Sequence, residues 1–162
     1  MYRKIMVPLD GSELAECVFP HVEAIVGGCN VEEVVFIRAV EPVHLPIGAL
    51  TDGAGVFTEV DAEKLRRQLD TGNDSAAKDY LSQVVSRVKL DRVKVHTEVL
   101  KGNVTESLAK YATNNDFDLI IIATHGRSGV SRWVWGSVAD RLLRSACVPV
   151  LMMRAPGCIT GI

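Results

Sequence analysis

The residue types that could do chemistry gather in one stretch of the chain. Asp118 to Val138 reads D-L-I-I-I-A-T-H-G-R-S-G-V-S-R-W-V-W-G-S-V, and the segment closes on C-V-P-V-L-M-M-R at Arg154. The apolar run Leu119 to Ile122 predicts a buried strand. Ala123, Thr124 and Gly126 end it, a glycine-bearing loop follows, and Gly136-Ser137 opens a helix. A strand, a glycine loop and a helix N-terminus in that order make an anion trap. Their backbone N–H groups converge on one spot, and the helix dipole favours negative charge there. Gly126 and Gly129 let the backbone approach phosphate oxygens with no side chain in the way. Gly136 and Ser137 add helix N-terminal amides and one hydroxyl, and Arg127 could add charge. The chemistry that fits is phosphate binding, and the ligand class is a nucleotide.

Asp10 is the second candidate. Ligands of doubly wound sheets bind beyond the carboxyl ends of the strands, where the strand order reverses. If the first and fourth strands are neighbours at that point, Asp10 and the segment from Ala123 to Ser137 face one crevice. Asp10 can then accept hydrogen bonds from a ribose hydroxyl or an adenine amino group. Plainer readings stand beside these. Asp10 could only close a turn or cap a helix, and the glycine loop could be a tight connection. His125 could be a base or a ligand, or a structural, solvent-facing residue, and nothing stands near it at metal-ligand spacing. Ser137 has no base partner in the sequence, which argues against a nucleophile. Trp133 and Trp135 could cover a ligand or a partner, or pack in the core. There is no G-x-x-x-x-G-K-[ST] loop, no G-x-G-x-x-G after the first strand, and no carboxylate pair suited to a magnesium-dependent transferase.

The elements that must position these residues follow from periodicity and punctuation. Lys4 to Leu9 predicts the first strand. Ser12 can cap a helix over Glu13 to Val26, with a kink expected near Glu16 to Pro20 and an end at Gly27-Gly28. Glu33 to Val40 predicts the second strand. Glu41 to about Val60 lacks a clean period and predicts a long loop, of the kind that is functional or disordered. Asp61 to about Lys89 predicts a long helix that Gly72-Asn73 weakens. Val93 to Val99 alternates as an edge strand does. Asn103, with Glu106 after it, predicts a helix cap. Leu119 to Ala123, Gly136 to Arg144 and Pro149 to Met153 predict the fourth strand, a short helix and the fifth strand. Strands alternating with helices imply one α/β domain, a parallel sheet with helices on both faces. It spans residues 1–154, and residues 155–162 read as a loosely held tail.

The totals bound the function. The chain has 162 residues, 48% of them hydrophobic and 23% charged, with a net charge of -2. That describes a globular domain with a real core. It argues against nucleic acid as the main partner, although Arg127, Arg132, Arg141 and Arg144 could form a local basic cluster. No apolar window is long enough to span a bilayer. The apolar run at the N-terminus stops too early for a signal peptide, so the protein is expected in the cytoplasm, with no membrane partner. Cys17, Cys29, Cys147 and Cys158 form no C-x-x-C and read as free thiols.

With those residues in view, the chain resembles the universal stress protein family over nearly its whole length. The resemblance rests on K-I-M-V-P-L-D-G-S-E-L-A at Lys4 to Ala15 and on the Ala39-Val40 end of the second strand. It rests also on D-L-I-I-I-A-T-H-G-R-S-G at Asp118 to Gly129 and W-G-S-V-A-D-R-L-L-R-S-A-C-V-P-V-L at Trp135 to Leu151. It implies a five-stranded parallel sheet, doubly wound, in the order 3-2-1-4-5. It also implies a subclass that binds ATP through Gly, two residues, Gly, nine residues, then Gly-Ser/Thr. Here Gly126, Gly136 and Ser137 match, and Ala123 stands at the first glycine. Carried over, Pro8 and Asp10 would contact base and ribose, and Ala39 or Val40 would hold adenine through the backbone. Ile122, Ala123 and His125 would line the pocket, while Gly126, Gly129, Gly136, Ser137 and Val138 would hold ribose or phosphates.

The last strand, Val148 to Met153, would pair two subunits into a homodimer. The function so implied is an ATP-binding stress-response regulator, with AMP or ADP as other ligands and Mg a possible companion of the phosphates. It would not be a committed enzyme. An unidentified downstream protein would read changes in the loops Glu41 to Val60, beside the pocket mouth, and Arg127 to Trp135. The rival readings are a slow nucleotide hydrolase, an adenylate-forming enzyme, and an interaction module that binds no nucleotide. An adenylate-forming enzyme should carry a glycine-rich or H-x-G-H loop after the first strand, which this chain lacks.

Overall fold

The computed structural model describes residues 2–44, 59–124 and 137–154. Its strands are β1 (Lys4–Pro8), β2 (Glu33–Val40), β3 (Lys94–Lys101), β4 (Leu119–Ala123) and β5 (Val150–Met153). They form one parallel sheet in the order β3-β2-β1-β4-β5, as the resemblance implies. The helices are α1 (Phe19–Gly28), α2 (Glu59–Arg87), α3 (Val104–Asn114) and α4 (Ser137–Ser145), and a 3-10 turn at Ala15–Val18 precedes α1.

Alternation along the strands builds two cores. Ile5, Val7, Val34, Phe36, Leu119 and Ile121 point to one face and pack with Val18, Val22, Leu81 and Val84 from α1, α2 and the 3-10 turn. Met6, Val35, Ile37, Ile120 and Ile122 point to the other and pack with Leu108, Ala112, Ala139 and Leu142 from α3 and α4. Strands buried on both faces read as unbroken apolar runs, which is why V-V-F-I and L-I-I-I are legible as central strands.

Three local expectations need correction. The first helix is not one kinked rod over Glu13 to Val26. A 3-10 turn hands over to α1, and Pro20 stands in α1's first turn, where its missing N–H removes no helical bond. Gly27 and Gly28 belong to α1, and Cys29 ends it in an extended conformation. α2 starts at Glu59 and runs unbroken through Gly72-Asn73, because Ala77, Leu81 and Val84 bury one stripe of it. Elsewhere the shifts are small: β3 covers Lys94–Lys101 and β5 starts at Val150. Asn103 caps α3 as expected, its Oδ1 accepting from Glu106 N at 3.2 Å.

One carboxylate ties the start of β1 to the start of β4. Asp118 Oδ2 accepts from the backbone N–H of Arg3 and of Lys4, each at 2.9 Å. Those two amides, Lys4's first, hold the Asp118 carboxyl below its ordinary range. A depressed folded pKa means that the bond stabilises above the unfolded value, roughly pH 4, and is lost as pH falls through the folded value. Asp118→Ala is expected to cost about 1–2 kcal/mol at pH 7. The gap between variant and wild type should shrink in urea melts carried from pH 5 towards pH 2.

Candidate functional site

A crevice opens in the middle of the sheet, and backbone chemistry opens it. β1 and β4 pair through Ile5↔Leu119 and Met6↔Ile120 and then part. β1 stays with β2, where Leu9 N–H donates to Ile37 O at 2.8 Å. β4 stays with β5, where Thr124 N–H donates to Met153 O at 2.8 Å. Amides of a strand face its two neighbours alternately. Leu9 N–H faces β2, so the amide at position 8 would face β4, and Pro8 has none to give. The missing donor falls where the strands separate. It lies between β1 and β4, where the connections leave in opposite directions, the place at which doubly wound sheets take ligands.

Asp10 stands at the lip of this crevice and is exposed. Its Oδ1 accepts from Ser12 N at 2.9 Å and from Ser12 Oγ at 2.6 Å. Ser12 Oγ in turn accepts from Ala15 N at 3.2 Å, so one carboxylate oxygen organises the entry to the 3-10 turn. The other oxygen, Oδ2, takes no hydrogen bond among the described residues. Asp10 therefore closes its turn with one oxygen and leaves the other available. Gly11 between them has φ +85°, a conformation that L side chains rarely adopt.

At the end of β2 the register separates two candidates. Val40 O accepts from Gly102 N at 3.1 Å, on the β3 side. By the same alternation Ala39 faces β1, beyond the point where β1 has turned away at Asp10. Of the pair Ala39 and Val40, Ala39 is the one whose backbone reaches the crevice.

On β4, Ile122 is buried in the core, Ala123 is half-buried and Thr124 is buried. Pro8 is buried as well, so it shapes the floor with its ring rather than projecting. Ser137 is exposed at the first position of α4, and Val138 packs partly against the second core. His125, Gly126, Arg127, Gly129, Trp133, Trp135 and Gly136 lie outside the described residues. So does Arg132; Arg141 and Arg144 line a groove between α3 and α4, where Arg144 pairs with Asp140 at 3.1 Å. Among the described residues no group of three His, Cys, Asp or Glu could hold a metal ion.

Two residues beside the crevice were not among the candidates. Arg38 of β2 places its guanidinium against the Gly11 turn, where a Cβ on Gly11 would stand 3.0 Å from Nη1. The same guanidinium lies over the Tyr80 ring, 5.3 Å from its centroid. Burial pushes the Tyr80 hydroxyl well above its ordinary range, and the nearby Glu16 carboxylate adds to it. Glu16 is itself held by Arg87 at 2.8 Å and 3.0 Å. The signal for Arg38 was in the sequence. In E-V-V-F-I-R-A-V it shares parity with Val34 and Phe36, which places a cation on a core face.

The universal stress protein family model matches residues 1–154. The chain belongs to the universal stress protein family. Among curated relatives, a universal stress protein of Methanocaldococcus jannaschii is 29% identical, with 96% of this chain and 84% of that protein covered. The fold matches the solved structure of another protein of that organism, with a TM-score of 0.76, 23% identity, and 95% and 96% of the two chains covered. It also matches a family member from Arabidopsis thaliana that was solved with AMP bound. That likeness has a TM-score of 0.63 at 12% identity, over 98% of this chain and 95% of that one.

Proposed function

We propose that this universal stress protein binds an adenine nucleotide in the crevice between β1 and β4 and acts as a homodimeric regulator rather than as an enzyme. One observation carries the reading. The β1–β4 ladder stops at Met6↔Ile120, short of the strand ends, and the exposed Asp10 beside the gap has a carboxylate oxygen with no hydrogen-bond partner among the described residues. In this reading Asp10 Oδ2 accepts from the ribose or the base amino group, and Ala39 meets the base through its backbone. Pro8, Ile122 and Ala123 form the floor. The phosphates lie towards Ser137 and Val138, with Gly126, Gly129, Gly136, His125 and Arg127 around them. The AMP held by the Arabidopsis relative supports the ligand class. ATP, with or without Mg, is the fuller form of the same ligand.

The dimer rests on the contrast between the two sheet edges. β3 exposes Lys94, Glu98 and Lys101, charges of the kind that discourage strand addition. β5 is Val-Leu-Met-Met, half-buried throughout, and pairs with β4 alone among the described strands. An apolar edge of this kind is suited to pairing with a second copy. Native mass spectrometry of the protein as purified tests ligand and assembly together. The expected spectrum shows twice the subunit mass, with added mass equal to one adenine nucleotide per subunit after AMP or ATP is supplied. A monomer that gains no mass at millimolar nucleotide contradicts both halves.

A further inference from the structure

We infer that Arg38 is a ligand-reading residue of this site, donating to acceptor atoms of the base. The inference rests on the nucleotide reading above and goes beyond it. A guanidinium is donor-only, and none of the Arg38 nitrogens is a sealed, unpartnered atom, so its N–H groups are open to solvent and to a ligand. Arg38 is half-buried, yet among the described residues it makes no hydrogen bond and no ion pair. Glu16, a carboxylate of the same cluster, is engaged by Arg87. Arg38 lies over the ring of Tyr80 and close beside Gly11, which has no Cβ to obstruct it. The chain thus places a cation with solvent-open donors against the Asp10–Gly11–Ser12 turn, with no acceptor for them among the described residues.

Its position identifies the end of the ligand it meets. Arg38 precedes Ala39 on β2, at the opposite side of β1 from β4 and α4. That is the base side of the crevice. The phosphate side lies across β1, at Ser137. A purine ring there offers nitrogen acceptors to Arg38 and an amino group to Asp10, so the acid and the cation read complementary atoms of one base. A Cβ at position 11 would intrude on the guanidinium, which gives Gly11 a second reason to be glycine beyond its φ.

The test compares wild type, Arg38→Met and Arg38→Lys by calorimetric titration with adenosine, AMP and ATP, each variant first shown to melt cooperatively. Methionine keeps the packing on Tyr80 and Gly11 and removes every donor. The expected result is a loss of roughly 10-fold or more in Arg38→Met. It should be equal for adenosine, AMP and ATP, with part of it recovered in Arg38→Lys. Wild-type affinity in Arg38→Met overturns the inference and assigns Arg38 to packing alone. A loss for AMP and ATP but not for adenosine overturns it too, because the contact is then to phosphate. Wild type that binds none of the three ligands removes the nucleotide reading, and the role of Arg38 with it.

Discussion

Phe36→Ala is expected to destabilise the protein by about 3–5 kcal/mol, as truncations of fully buried aromatic residues do. Phe36 sits in the middle of β2 with no exposed surface. Its ring meets Phe19 edge-on at 5.9 Å, joining the sheet to the first turn of α1. It shares a core with Val7, Leu81 and Val84, so the cavity would open between β1, β2 and α2. A domain of this size has a total stability of about 5–15 kcal/mol, so the variant should unfold at markedly lower urea. A loss under about 1 kcal/mol would mean that α1 and α2 do not pack on the sheet as described. The same cavity would lie beneath Arg38 and the Gly11 turn, so any surviving fold should bind nucleotide weakly.

The second large effect concerns Asp10. Asp10→Ala removes the Oδ1 bonds to Ser12 and the available Oδ2 together. It should lower stability by about 1 kcal/mol. Nucleotide affinity should fall roughly 10- to 100-fold, the worth of a charge-assisted hydrogen bond. Asp10→Asn separates the two roles. Its amide oxygen can still accept from Ser12, so the turn and the melting temperature should survive. Its NH2 group would then face the ligand and offer a donor where an acceptor is needed. Affinity in Asp10→Asn should therefore drop nearly as far as in Asp10→Ala. If Asp10→Asn binds like wild type, Asp10 closes a turn and nothing more.

Much of the fold was legible because the three central strands, β2, β1 and β4, are buried on both faces and read as apolar runs. β4 was read at Leu119–Ala123, and the alternation of V-K-V-H-T-E-V marked β3 as an edge. The start of α1 is not legible in the sequence, because Pro20 looks like a kink when counted from Ser12 and like an N-terminal proline once the 3-10 turn is known. Gly27 and Gly28 looked like a stop, yet neither needs a left-handed conformation, and the helix simply includes them. For the site, Asp10 was legible as a carboxylate at a strand end. The reason it faces an open crevice was not. That depends on which neighbour the missing amide of Pro8 would have faced, and only the register supplies it. The choice between Ala39 and Val40 has the same origin. Arg38 was legible as a charge of core parity, but its contact with Gly11 joins two strands and becomes visible only in three dimensions.

The most direct measurement is amide chemical-shift mapping of the labelled protein during titration with AMP. The account predicts saturable shifts concentrated at Leu9, Asp10, Gly11 and Ser12, at Ala39 and Val40, and at Ala123, Thr124 and Ser137. The opposite end of the sheet, around Lys4, Glu33 and Asp118, should stay still. Shifts confined to that opposite end, or none at millimolar AMP, would contradict the account.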